Sequence, residues 1–368
     1  MRVVVPQETA DGERRVAVVP EAVGKLAALG CTVAVQAGAG LAAHVSDDEL
    51  VERGAEVVTD RIALLQSADV VLSVQPIPVG DVALLRSGAA TLSFLQPWAH
   101  GDVVRGLAAR SVTGLSLDLV PRISRAQSMD ALSSQALVAG YHCALVAASI
   151  APRMFPLAMT AAGTVPPARV LVLGAGVAGL QAIATARRLG AVVSAYDVRA
   201  ASADEVRSLG AKFLDLGLET QEGEGGYARV QSDEFLAKQR ELLGAAIAAS
   251  DVVITAAAVP GRPAPRLVTA EMVHGMRGGS VIVDLGAEGG GNCELTRVGE
   301  TVEVDGVSIV GVRNAASAYP LHASALYARN LVNLLSLIVR DGEWAPDWDD
   351  EILAGCCVTR DGQVVSHE

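Results

Sequence analysis

Six consecutive residues, Gly174-Ala-Gly-Val-Ala-Gly179, form the first pattern in this chain that could do chemistry. They follow the run Arg169-Val-Leu-Val-Leu173 and open the helical stretch Val177–Leu189. In a strand–turn–helix unit, Gly174 permits the tight turn and Gly176 lets the backbone approach a pyrophosphate. Gly179 lets helix and strand pack closely. The helix start adds N–H donors and the positive end of its dipole. The next strand ends at Tyr196-Asp197. A carboxylate there can accept from a ribose 2′-OH and would repel a 2′-phosphate. The pattern points to a nicotinamide dinucleotide, with NAD(H) favoured over NADP(H). Arg199 is the opposing signal, because an arginine at that edge can hold a 2′-phosphate. A glycine-rich turn that binds nothing is the plainer reading, and the flanking strand and helix argue against it.

A second informative stretch is Pro121-Arg-Ile-Ser-Arg-Ala-Gln-Ser-Met-Asp130-Ala-Leu-Ser-Ser134. It sets two arginines, a glutamine, an aspartate and four serines between two apolar regions. Read plainly, it is a linker with Asp130 or Ser133 capping the helix that follows. That reading leaves Arg122, Arg125 and Gln127 without a task. At the edge of a cleft the same side chains could fix a carboxamide and phosphates.

These residues need a scaffold, and the sequence supplies an alternating one. Strands are expected at Val3–Val5, Thr32–Val35, Val70–Val74 and Thr91–Leu95, with helices at Glu21–Leu29 and Gly101–Arg110. A second series places strands at Val170–Leu173, Val192–Tyr196, Val252–Thr255 and Ser280–Asp284. Its helices are Val177–Leu189, Ser202–Leu209 and Ser232–Ala249. Such alternation predicts parallel sheets. Gly217–Val230 reads as a loop, Gly286–Asn292 as a loop of close approach, and His322–Arg340 as one amphipathic helix before a short terminal strand. The expected class is α/β, with two Rossmann-like doubly wound parallel-sheet domains joined by long helices and a cleft between.

Composition narrows the function. With 368 residues the chain is long enough for two domains. Apolar residues are 51% of it and aromatic ones 3%, so its cores must be built from Ala, Val and Leu. A net charge of −12 argues against a nucleic-acid partner. Neither the five cysteines nor the six histidines fall at metal-ligand spacing, so no metal is expected. The Met1–Pro6 run is strand-like, unlike a signal peptide. Ala136–Pro152, interrupted by Tyr141 and His142, falls short of the ~20 apolar residues of a membrane span. A buried helix joining two domains, in a chain soluble on its own, is expected.

Taken together, the 122–134 run, the glycine fingerprint, Tyr196-Asp197-Val-Arg199 and Gly225-Gly-Tyr227-Ala resemble the NAD(H)-binding component of proton-translocating nicotinamide nucleotide transhydrogenase. The similarity extends over almost the whole chain. It implies domains of 1–133 plus 321–368 and of 134–320, the second binding NAD(H), with helices 134–152 and 322–340 bridging them. It implies hydride exchange with NADP(H) held on a partner subunit, coupled to proton movement by a membrane subunit. A homodimer, peripheral on the cytoplasmic face of the inner membrane, is also implied. Arg122, Asp130 and Ser133 match residues that fix the nicotinamide carboxamide, and Gln127 one that reaches the opposing ring. Tyr227 matches the tip of a closing loop. Ser128, Met129, Val177, Val198, Gly226, Gln239 and Ala258 complete the implied cofactor set.

Alanine dehydrogenases are the related alternative. Glu13-Arg-Arg15-Val-Ala looks similar in both, but such an enzyme would carry a lysine in Ser73-Val-Gln75-Pro and a histidine near Gln96. Oxidising an amino acid needs a group to take a proton. Transfer from one nicotinamide to another needs orientation instead. A non-catalytic NAD-binding regulator would keep the fingerprint but has no need of the 122–134 run.

Overall fold

The computed structural model describes residues 1–216, 233–259 and 261–366, with backbone alone for 233–237. The chain divides into two compact units, Met1–Gln135 with Ala316–Glu368, and Ala136–Ala315.

The first unit is built on β1 (Arg2–Val5), β2 (Thr32–Gln36), β3 (Glu56–Val58), β4 (Val70–Leu72), β5 (Ala90–Ser93) and β6 (Thr113–Ser116). They run parallel in the order 3-2-1-4-5-6, and Cys357–Arg360 and Gln363–Val364 extend the β6 edge antiparallel. The order in which strands are added reverses between β1 and β4, which is where a doubly wound sheet opens a crevice at its strand ends. Alternation along each strand feeds two cores, one per face. Val3 and Val5 pack with Tyr327, Leu331 and Leu335. Val4, between them, packs with Leu64, Val71 and Leu107.

The second unit repeats the plan with β7 (Arg169–Leu173), β8 (Val192–Tyr196), β9 (Lys212–Phe213), β10 (Val252–Thr255), β11 (Val281–Asp284), β12 (Thr301–Val304) and β13 (Val307–Gly311). The order is β9-β8-β7-β10-β11-β13-β12, parallel except for the edge strand β12. Val170 and Val172 meet Ile183 and Ala186 on one face, while Leu171 and Leu173 meet Leu243 and Ile247 on the other. Runs such as Val252-Val-Ile-Thr255 are buried throughout, as strands covered on both faces must be. Both sheets bear out the expected doubly wound α/β class.

The helix Ala131–Ile150 crosses the boundary between the two units in the chain. It is 20 residues long with mean hydropathy 1.3, the only described helix long and apolar enough to span a membrane, and 44% of its apolar window is buried. Its buried residues Ala131, Gln135, Val138, Ala139, Cys143 and Ala147 recur at helical spacing.

Two expectations give way to Asp-Gly turns. The stretch His322–Arg340 is a helix only over Pro320–Leu335; Val339–Arg340 instead pairs with Glu343–Trp344 across Asp341-Gly342. Strands β12 and β13, absent from the expected series, meet across Asp305-Gly306. Both residues of each turn have positive φ, the twist that a two-residue hairpin requires.

Candidate dinucleotide site

The glycine run lies where β7 hands over to the helix Val177–Arg188. Gly174 has φ +97, and a Cβ on it would meet the Ala256 and Ala257 backbone within 3 Å. Gly179 fits still more tightly, since its Cβ would sit 1.8 Å from the Gly174 carbonyl oxygen. Gly176 is different. Its φ of −78 suits any residue, and among the described residues the only neighbour within 4 Å of a Cβ is the tip of Arg199. Space, not backbone freedom, is what this glycine provides. Among the described residues no side chain caps the helix behind it, which leaves the first-turn N–H groups to an anion.

Asp197 follows β8 and is buried to 9% exposure. One carboxylate oxygen accepts from the Ala175 N–H at 2.7 Å, which ties the glycine turn to the next strand. The Arg199 N–H and guanidinium supply the rest, at 2.8, 3.0 and 3.1 Å. Arg199 is therefore bound to the very carboxylate whose signal it opposes in the sequence. A ribose hydroxyl would have to share or displace it, because a carboxylate offers about four acceptor positions. Val198, half-buried, lies between them, and Val177 is exposed at the start of the helix. Gln239 is buried, donates to the Tyr196 hydroxyl at 2.9 Å, and keeps an unpartnered Oε1 among the described residues. Ala258 is exposed on the stretch that leaves β10. Gly226, Tyr227 and the 217–230 loop lie outside the described residues.

At the neighbouring strand end, Asp284 is fully buried and fully used. Thr255, the Gly286 N–H, the Cys293 N–H and Thr296 all donate to it at 2.7–3.0 Å. It organises the small-residue turn 286–292, a role the sequence does not suggest.

In the first unit, Ser124–Met129 forms a short 3-10 helix. Ala126 and Met129 point into the core, so a ligand contact from Met129 would have to come from its main chain. Arg122, Gln127 and Ser128 are exposed. Asp130 accepts from the Ser133 N–H at 2.8 Å and from its hydroxyl at 2.5 Å, and so caps the long helix. Arg125 donates to Asp350 at 2.6 and 3.1 Å and holds that carboxyl below its ordinary range. Asn330 and Asn333 both donate to the Ser128 carbonyl at 2.9 Å. Neither asparagine stands out in the sequence; their three-residue spacing on an amphipathic helix is the available signal.

The same unit gathers a charged cluster at its β1/β4 switch point. Glu8 accepts from the Val74 and Gln75 N–H groups at 2.6 and 3.1 Å. Arg15 grips Glu13 through two nitrogens, at 2.8 and 2.6 Å, and donates to Gln135 at 2.9 Å. The Gln75 amide donates to Glu13 at 2.9 Å. Burial pushes the Glu8 carboxyl up to about 7, partly offset by those N–H donors. Burial opposes ionisation of Glu13 as well, but the Arg15 hydrogen bonds and charge outweigh it and hold Glu13 down to about 2. Position 75 thus presents an amide, which cannot take up a proton near neutral pH. Gln96, at φ +42, is fixed through its N–H on Asp118 at 2.9 Å.

Two 3-2-1-4-5 sheets, one with an open glycine turn at an uncapped helix start, define a doubly wound dinucleotide-binding protein. Comparison with known proteins makes this specific. Residues 4–139 match the alanine dehydrogenase/PNT N-terminal domain and residues 143–367 the alanine dehydrogenase/PNT C-terminal domain, and the chain belongs to this family, on its transhydrogenase alpha-subunit branch. An NAD(P) transhydrogenase subunit alpha polypeptide of Rhodospirillum rubrum is 48% identical, over 99% of this chain and 98% of that one. A crystal structure of transhydrogenase from Sinorhizobium meliloti is 44% identical, with a TM-score of 0.87 and 99% of each chain covered. Alanine dehydrogenase of Mycolicibacterium smegmatis is 28% identical over 100% of this chain and 95% of that one. The amides at Gln75 and Gln96 and these identities favour the same branch.

Proposed function

We propose that this chain is the NAD(H)-holding subunit of a proton-translocating NAD(P) transhydrogenase. The observation that carries the reading is Gly176, open above an uncapped helix start with Asp197 beside it. The N–H groups of the Val177–Arg188 helix hold the phosphates, and Gly174, Gly176 and Gly179 keep the backbone low enough for them to approach. Asp197, with Val198 and Arg199, takes the adenosine ribose, which makes NAD(H) the preferred form. Gln239 and Ala258 line the same sheet edge; Gly226 and Tyr227 belong to the proposed closing loop. When bound, the dinucleotide supplies the hydride chemistry. Arg122, Asp130 and Ser133 orient the nicotinamide carboxamide, with Ser128 and Met129 contributing main chain, and Gln127 aligns the ring with its opposite number. With an amide at position 75, catalysis rests on placement and not on proton transfer.

NADP(H) then belongs to a partner subunit, and proton passage to a membrane subunit at whose cytoplasmic face this chain is peripheral. A second copy of this chain is the further partner we propose. The hairpin of Ala158–Thr160 and Gly163–Val165 exposes Met159 at 78% and Val165 at 40%, beside Leu157 at 56%. Met159, the most exposed of these, stands on the Thr164 face of the hairpin, and an apolar side chain so open to solvent supports association there. Met159→Asp should convert a sedimenting dimer to monomer.

The test of function is a mixing experiment. The purified chain should turn over neither alanine nor pyruvate with NAD(H), yet pass hydride once the NADP(H)-binding partner is added. Turnover of alanine by the chain alone would make it an amino-acid dehydrogenase instead. Within the complex, Gln127→Asn should keep NADH affinity and slow transfer roughly a hundredfold, the usual cost of a misplacement near 1 Å. Wild-type transfer in that variant would remove Gln127 from the alignment role. Arg122→Ala should weaken both binding and rate.

A further inference from the structure

The 124–130 stretch carries exposed side chains on a short 3-10 turn, and such a turn has weak hydrogen bonds of its own. Something outside it must fix its backbone. The helix Pro320–Leu335 does so at one point. Asn330, 6% exposed, donates its amide N–H to the Ser128 carbonyl at 2.9 Å, and its Oδ1 accepts from the Ser134 hydroxyl at 2.7 Å. It therefore holds both ends of the connection from the 3-10 turn into the helix Ala131–Ile150. Asn333, one turn along the same face, puts a second N–H on the same Ser128 carbonyl at 2.9 Å.

Two donors on one carbonyl fix the plane of the peptide that follows Ser128. Gln127 is the next residue back and is exposed, so no packing of its own side chain sets its direction. Beyond Ser134 the link continues inward. Gln135 donates to the Ser134 hydroxyl at 3.1 Å and accepts from Arg15 at 2.9 Å, which anchors the Asn330 contact to the Glu13–Arg15 cluster. A buried asparagine with both amide ends used across some 200 residues of sequence is expensive to place in a helix unless its geometry is needed.

We propose that Asn330, assisted by Asn333, is a positioning residue for hydride transfer, acting through the Ser128 carbonyl on the attitude of Gln127. The proposal rests on the assignment of the 122–134 stretch to nicotinamide orientation. The two can fail separately.

The test compares Asn330→Asp and Asn333→Ala with wild type in the complex reconstituted with the partner subunits. Asn330→Asp keeps an acceptor for Ser134 but turns a carboxylate oxygen on the Ser128 carbonyl. Its transfer rate should fall ten- to a hundredfold while the NADH dissociation constant moves less than about threefold. Amide hydrogen exchange over 124–129 should speed up at least about tenfold. Asn333→Ala, at a partly exposed site, should slow transfer by about threefold with a smaller rise in exchange. If exchange over 124–129 stays at the wild-type rate, the clamp is wrong. If exchange rises and transfer does not slow, the clamp has no catalytic role and the proposal is overturned. Should Asn330→Asp fail to fold, Asn333→Ala decides alone, and wild-type exchange and rate there overturn the proposal. The orientation assignment itself fails on a different result, wild-type transfer by Gln127→Asn.

Discussion

The two parallel sheets share the strand order 3-2-1-4-5 and treat the end of their first strand in opposite ways. At β7 in the second unit, small residues keep side chains out. Gly174 and Gly179 let backbone pack on backbone, and Gly176 leaves room above a helix start that no described side chain caps. At β1 in the first unit the corresponding place is filled from within. Glu8 caps two backbone N–H groups, Glu13 fills the fork of Arg15, and Gln75 and Gln135 close the network. Reversal of strand order between neighbouring parallel strands makes a crevice in both. Whether that crevice stays open or is filled is decided by a handful of side chains on one shared architecture.

The contrast between Gly179 and Gly176 is the sharpest way to break this comparison. Gly179→Ala should lose about 3 kcal/mol or more of stability to denaturant, since its Cβ has no place to go beside the Gly174 carbonyl. Gly176→Ala should leave stability within about 0.5 kcal/mol. It should nevertheless weaken NADH about a hundredfold in calorimetry, equivalent to about 2.7 kcal/mol. Equal loss of stability in both would show that Gly176 is needed by the fold and not by a ligand.

The filled crevice of the first unit should show itself in pH dependence. Because the Glu8 carboxyl is raised to about 7 in the fold, its ionisation costs stability as pH climbs from about 4.5 through 7. Glu13, held near 2, acts the other way, and the stability it contributes is lost as pH falls from about 4.5 toward 2. Glu8→Gln should therefore flatten the stability decline between pH 5 and 7, a change of roughly 2 kcal/mol by denaturant titration. An unchanged slope would mean that Glu8 is ionised throughout. Smaller again is the effect of Asp197→Ala. It should narrow the preference for NADH over NADPH by about 1–2 kcal/mol and free Arg199, measured as the ratio of the two dissociation constants.

Much of the fold can be read because parallel strands covered on both faces are unbroken apolar runs, and β7, β8 and β10 fall where such runs do. The glycine turn and the Asp130 cap are legible because their chemistry is local, within six residues. The hairpins escape such a reading although Asp305-Gly306 and Asp341-Gly342 carry the signal. Each flanking strand is only two to five residues long, and Val339–Arg340 continues the apolar period of the preceding helix. The Glu8–Gln75 and Arg15–Gln135 links are out of reach for a different reason. They join residues 67 and 120 positions apart, and nothing in either local stretch names its partner.

The first unit is assembled from both ends of the chain, with the second inserted whole between Gln135 and Ala316. Strand Cys357–Arg360, which pairs with β6, is made only after the whole of the inserted unit. During synthesis the inserted unit can therefore finish folding while the unit begun first still waits for its edge strand and for the helix bearing Tyr327 and Asn330. Trimming before residue 320 would leave the inserted unit whole and the first unit open, so quality control in the cell should fall on the amino-terminal half.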